Sequence, residues 1–170
     1  IAVAASKKTG KSVLANCMLG MELAPTSLEL ATPNTCVYRK SRDGKFRVIV
    51  GSQSNEFADK DSIRKYIRNK FKEAQNDASS RFAIEDMVIE YPSNGNRFER
   101  YSIYDTPGPD AAGTDHYKST ERAISDCDVA IFAMDFSKYL TTSEEQFLQL
   151  VKDVFERSEE HTSELQSPLI

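Results

Sequence analysis

Eight consecutive residues near the start, Ala5-Ser6-Lys7-Lys8-Thr9-Gly10-Lys11-Ser12, follow the pattern G-x-x-x-x-G-K-[ST], except that Ala5 stands at the first glycine. A loop of this form, together with the first turn of the helix it opens, turns backbone N–H groups onto phosphate oxygens. Lys11 is expected to reach the β and γ phosphates of a nucleoside triphosphate and Ser12 to ligate Mg²⁺. Ala5, Ser6, Lys7, Lys8, Thr9 and Gly10 would line the phosphates. Alanine at the first position weakens close approach but does not forbid it, because only a required positive φ would exclude it.

A second set, Asp105-Thr106-Pro107-Gly108, fits D-x-x-G and follows an apolar-aromatic run. A carboxylate leaving a strand beside the phosphate loop can hold Mg²⁺, usually through water, and the Gly108 N–H can meet a γ-phosphate. The third element is Thr35, whose hydroxyl can close on Mg²⁺ once a γ-phosphate is present, and Thr32 competes for that role.

These residues need particular elements beneath them. Ile1 to Ala5 reads as a buried strand, and Lys11 to Leu19 as a helix with Val13, Leu14, Cys17 and Met18 at helical spacing. The Pro- and Thr-rich stretch 21–34 predicts an irregular loop that orders on binding. Cys36 to Arg39 and Phe46 to Val50 flank Asp43-Gly44 and predict a hairpin; Met87 to Tyr91 and Glu99 to Tyr104 flank Ser93-Asn94-Gly95-Asn96 and predict a second. A helix is expected from a cap at Asp61 or Ser62 to about Gln75, apolar on one face and basic on the other. Tyr117 to Ile124 predicts a helix, and Val129 to Met134 a buried strand. Thr142 to Phe155 predicts an amphipathic helix with a Thr142/Glu145 capping box. Strands alternating with helices, plus a hairpin-rich insertion, indicate an α/β three-layer sandwich with a mixed sheet, the P-loop NTPase architecture, its C-terminal part missing.

Composition narrows the class. In 170 residues, hydrophobic side chains make up 39% and charged ones 28%, the balance of a soluble domain that needs neither disulfides nor a structural metal. Cys17, Cys36 and Cys127 are far apart and form no C-x-x-C pair, so reduced, mostly buried thiols are expected. Two histidines leave little scope for His-based metal or acid-base chemistry. With a net charge of -4, no global field draws the chain to nucleic acid. Six cations, Lys60, Arg64, Lys65, Arg68, Lys70 and Lys72, crowd the predicted second helix, where a solvated face and contact with anionic lipid or a partner both stand as readings.

The segments ASKKTGKS, PNTCVYR, YDTPGPDAAG and DVAIFAMDFSKYLTTSEEQFL, in this order and spacing, resemble the N-terminal GTPase domain of the dynamin superfamily, especially bacterial dynamin-like proteins. The resemblance covers nearly all of residues 1–156. It implies a G domain that binds GTP and Mg²⁺, hydrolyses the γ-phosphate and pairs with a second copy in a nucleotide-dependent way. Carried over by position, Lys11 and Ser12 bind phosphate and Mg²⁺, Thr35 is the first-switch threonine, and Asp105 and Gly108 belong to the second switch. Lys7 stands where dynamins carry a catalytic glutamine, and Lys8 where they carry a serine that helps hold a monovalent cation. Lys8 is therefore a candidate source of that charge.

The family's guanine-reading motif, [NT]-K-x-D, is missing, so a P-loop ATPase or kinase and a nucleotide-gated scaffold with little hydrolysis stand as rivals. Arg157 to Pro168 reads RSEEHTSELQSP, which resembles a sequencing adapter translated in frame. The expectation is a partial G domain over 1–156, entered after its natural start, with a non-native tail at 157–170. A cytoplasmic protein is expected, with peripheral membrane association through missing regions.

Overall fold

The computed structural model describes residues 1–5, 9–26, 34–77, 79–80, 85–107, 114–134 and 141–165. Along the chain they form β1 (Ala2–Ala5), α1 (Lys11–Leu19), β2 (Cys36–Lys40), β3 (Phe46–Val50), β4 (Gln53–Phe57), α2 (Lys60–Asn76), β5 (Met87–Tyr91), β6 (Ile103–Asp105), α3 (Thr114–Ser125), β7 (Ala130–Ala133) and α4 (Thr142–Leu165). The seven strands make one mixed sheet in the order β4-β3-β5-β2-β6-β1-β7. β1 lies parallel to both β6 and β7, and β2 parallel to β5; the pairs β2–β6, β3–β4 and β3–β5 are antiparallel.

Alternation along β1 shows the three layers. Val3 points into a core with Ala15, Met18 and Leu19 of α1, Ile63, Ile67 and Phe71 of α2, and Tyr38, Ile89 and Ile103 of the central strands. Ala2 and Ala4 point the other way, against Ile124 of α3 and Phe147, Leu150 and Val154 of α4. A strand apolar on both faces belongs inside a helix-covered sheet, and β1 has only β7 beyond it on that side.

Neither predicted hairpin forms. β5 lies between β3 and β2, and β2 lies between β5 and β6. The turn signals at Asp43-Gly44 and Asn94-Gly95 bend the chain without fixing which strands meet. β5 takes the central place because Met87, Ile89, Glu90 and Tyr91 are all buried there. The hairpin that does form joins β3 to β4 through Gly51 and Ser52, with Val50 opposite Gln53. Gly51 has φ 55°, the left-handed backbone that such two-residue turns require.

Other expectations shift by a residue or two. The α2 cap is Asp59, whose carboxylate accepts from the Ser62 N–H at 2.8 Å, rather than Asp61 or Ser62. The box opening α4 is Thr141/Glu144: the Glu144 carboxylate accepts from the Thr141 N–H at 2.8 Å, and the Thr141 hydroxyl accepts from the Glu144 N–H at 3.3 Å. α1 buries Ala15, Asn16, Met18 and Leu19, whereas Val13 and Cys17 face outward. β7 is half-buried at the sheet margin rather than fully buried, with Val129 and Met134 exposed beside it. Cys36 and Cys127 are buried and all three cysteines are free.

Candidate functional site

The site sits where β1 and β6 end side by side. Their parallel register sets Val3 opposite Asp105, and the Thr106 N–H and hydroxyl both donate to the Val3 carbonyl, at 3.2 and 3.3 Å. Thr106 is fully buried, so the chain leaving β6 is fastened to β1 at the point where the Asp105 carboxylate emerges. β1 meanwhile delivers the chain toward Gly10, the N-cap of α1. Gly10 has φ 87° and supplies no side-chain cap, and the first turn of α1 carries no acidic residue. A Cβ built on Gly10 would meet nothing within 4 Å. A helix N-terminus without a side-chain cap, with its partial positive charge, suits an anion.

Two side chains of the first turn of α1 converge on one carboxylate. The Lys11 ammonium is ion-paired to Asp105 Oδ1, and the Ser12 hydroxyl donates to Asp105 Oδ2 at 3.1 Å. The Asp105 side chain is wholly out of water and that of Lys11 nearly so, at 0% and 10% exposure. β2 brings Thr35 to the same end: Cys36, the next residue, is the antiparallel partner of Asp105. Thr35 is buried; its N–H donates to Asn34 Oδ1 at 2.9 Å and its carbonyl accepts from the Met87 N–H at 3.0 Å.

Beneath the carboxylate lie Cys36 and Tyr38. Burial first, then the negative charge of Asp105, push the Cys36 thiol well above its ordinary range. Burial, then Cys36, then Asp105 raise the Tyr38 hydroxyl likewise. The floor of the site therefore favours neutral groups beside the Lys11–Asp105 ion pair.

Lys11, Ser12 and Asp105, separated by 93 and 94 positions in the chain, are thus brought together. Thr35 stands one residue from the Cys36–Asp105 pair, and Gly10 stands next to Lys11. Ser6, Lys7, Lys8, Thr32 and Gly108 lie outside the described residues, and of Ala5 only the strand backbone is described. Reading the sequence missed Thr106 and Asn16. Asn16 Oδ1 accepts from the Leu23 and Ala24 N–H groups at 2.9 and 2.8 Å, and its amide donates to the Ala24 carbonyl at 2.9 Å. These bonds fasten the chain at Leu23 and Ala24, just beyond α1, to the helix. The signal was present: a polar residue on the same helix face as Leu19.

A hydroxyl and a carboxylate 3.1 Å apart are hard oxygen donors of the kind Mg²⁺ takes. Among the described residues no three His, Cys, Asp or Glu side chains converge.

Comparisons with known proteins place the chain in a family and a fold. The profile of the dynamin family matches residues 1–158. Two solved chains share the fold. Both come from work on an oligomerised bacterial dynamin pair, described as providing a mechanism for the long-range sensing and tethering of membranes. One has a TM-score of 0.56 at 19% identity over 99% of this chain. The other has a TM-score of 0.50 at 18% identity over 78%. This chain spans 31% and 19% of their respective lengths. No curated protein sequence matches it.

Proposed function

The chain belongs to the dynamin family, and on that premise we propose that it binds GTP with Mg²⁺ and hydrolyses the γ-phosphate. The observation that carries this reading is the convergence of Lys11 and Ser12 on the buried Asp105 carboxylate beside the uncapped start of α1. Phosphoryl transfer asks the protein chiefly for positioning and charge neutralisation. Lys11 would exchange its contact with Asp105 for the β and γ phosphate oxygens, and the first-turn N–H groups of α1 would hold the remaining charge. Ser12, Asp105 and Thr35 would hold Mg²⁺, which would supply positive charge against the phosphates. Gly108 would offer its N–H to the γ-phosphate, and Lys8 a fixed positive charge near the breaking bond.

Because the chain spans less than a third of its solved neighbours, their assembly and membrane roles are extended to it only as part of this proposal. Nucleotide-dependent pairing of two G domains and peripheral association with membranes are the expected context. Among the described residues no helix is long and apolar enough to cross a membrane.

The test is a fluorescent-GTP titration with unlabelled GTP and ATP as competitors, followed by single-turnover phosphate release. GTP competing far better than ATP, with Mg²⁺-dependent release, supports the reading. Equal competition points to a general P-loop NTPase. Tight binding without release points to a nucleotide-gated scaffold, a reading favoured by lysine at positions 7 and 8.

A further inference from the structure

One stretch of chain, the loop after β5 together with β6, holds α1 at both of its ends. At the start of the helix, Lys11 and Ser12 meet Asp105 of β6. At its finish, the Asn94 side-chain amide donates to the Leu19 carbonyl at 2.7 Å. That carbonyl is among the last four of α1, which have no partner inside a helix. Gly20 lets the loop come this close. Its φ of 68° ends α1 in the left-handed region, and a Cβ there would collide with the Asn96 side-chain amide and stand 3.3 Å from that of Asn94. Asn94 Oδ1 accepts from the Asn96 N–H at 3.0 Å, which turns Nδ2 toward the helix. Glu99 steadies the loop in turn, accepting from the Ser93 hydroxyl and the Asn94 and Gly95 N–H groups at 2.7, 3.1 and 3.2 Å, and from Lys40 of β2 at 3.3 Å.

A helix of nine residues, about 13 Å long, does not hold its own place; its contacts do. We propose that Asn94 is a positioning residue for the phosphate site, setting from the far end of α1 the height at which Lys11 and Ser12 stand against Asp105. The two ends play unequal parts once nucleotide binds. On the reading put forward above, Lys11 then gives up Asp105 for phosphate oxygens, and the start of α1 loses that tie to β6. The bond from Asn94 to Leu19 involves no group of the phosphate site, so it persists and keeps the helix in line with β6. Asn16 cannot do this, because it bonds to Leu23 and Ala24, the continuation of α1 itself, and gives no fix on the sheet. A short rigid helix delivers a shift at one end to the other, and a misplacement of about 1 Å at a reacting centre can cost on the order of a hundredfold in rate.

Asn94→Ser separates this bond from the turn that Asn94 also makes, because a serine hydroxyl still accepts from the Asn96 N–H but is too short to reach Leu19. The first measurement needs no nucleotide: denaturant melts of Asn94→Ser, Lys11→Met and the double variant. Lys11→Met should raise the unfolding equilibrium constant about fivefold less in Asn94→Ser than in the parent, outside the roughly twofold scatter of independent sites. Additive effects would overturn the proposal. The second is single-turnover GTP hydrolysis at saturating nucleotide and Mg²⁺, which rests on the GTPase reading. Asn94→Ser should slow it about tenfold to a hundredfold. Val154→Ala, a cavity in the core on the opposite face of the sheet, should melt lower yet keep the parental rate where both variants are folded. Equal slowing in both variants, or the parental rate in Asn94→Ser, would overturn the proposal. A parent without hydrolysis that still gives the non-additive melts would remove the GTPase reading and uphold Asn94 as the residue that positions Lys11 against Asp105.

Discussion

Lys11 and Asp105 form an ion pair across 94 positions of sequence, with the carboxylate fully buried and the ammonium nearly so. A pair this dry is costly to break from one side only, because the surviving charge stays out of water. Lys11→Ala should therefore lose about 3–5 kcal/mol of stability as well as triphosphate binding. Lys11→Ala combined with Asp105→Asn should recover most of that stability and none of the binding. Denaturant melts and nucleotide titrations of the two variants check both parts; a melt unchanged in Lys11→Ala would contradict the pairing. Asp105→Ala should weaken the Mg²⁺ dependence of nucleotide binding.

Asn16 satisfies two N–H groups and a carbonyl at the buried Leu23 and Ala24. Asn16→Leu keeps the volume and strands those groups, for an expected cost of about 2–5 kcal/mol. Since the same bonds hold the chain against α1, whose first turn carries Lys11 and Ser12, nucleotide affinity should fall in parallel. Affinity intact in a variant that melts much lower would confine Asn16 to stability.

Stability should decline in alkali through the floor of the site. The Cys36 thiol, ordinarily ionising near 9.0, is raised well above that in the fold by burial and by Asp105. The unfolded chain then gives up its proton first as the pH rises, so the contribution is whole below about 9 and is progressively lost above it. Tyr38, raised in the same sense from 10.0, adds to the loss at higher pH. Thiol-reagent kinetics supply the companion measurement. Exposed Cys17 should label quickly, and Cys36 only at the rate of unfolding. Fast labelling of Cys36 in the folded chain would contradict its burial.

On the proposed reading, Lys8 takes the place of the serine that the resemblance to dynamin-like domains implies for holding a monovalent ion. If its ammonium supplies that charge, hydrolysis should be indifferent to replacing K⁺ with Na⁺ or choline, and Lys8→Ser should slow it. A charge delivered near the breaking bond is worth roughly 10³ to 10⁵ in rate in the best cases. A strong K⁺ requirement in the parent would leave Lys7 and Lys8 as attractors of the anion and no more.

Residues that act through local geometry were legible in the sequence. The strand-loop-helix from Ile1 to Leu19 and the D-x-x-G turn identify Lys11, Ser12 and Asp105, and the structure brings these three together. Strand partnership was not legible, because turn residues report where a chain bends and not what slides between its arms. Both predicted hairpins failed on that point, as β5 and β2 interleave. β4 escaped notice for a different reason: Gln53, Ser54, Asn55 and Glu56 are exposed and carry no apolar alternation. Thr106 does its work through a backbone carbonyl of another segment, which no spacing rule reveals, and Asn16 was marked only by its polar side chain on the helix face of Leu19.

The interleaved strand order also governs how the protein is made. Since no two neighbouring strands except β3 and β4 zip together directly, almost every pairing closes a long loop: Arg39 and Glu90 are 51 positions apart, and Val3 and Thr106 are 103 apart. High contact order of this kind slows folding and exposes unpaired apolar strands meanwhile. A nascent chain emerging N-terminus first holds Lys11 and Ser12 long before their carboxylate partner exists, so it must wait, open to aggregation or chaperone capture, until residue 106 has left the ribosome. The Lys11–Ser12–Asp105 cluster is therefore acquired in one step, when β6 emerges, rather than by degrees.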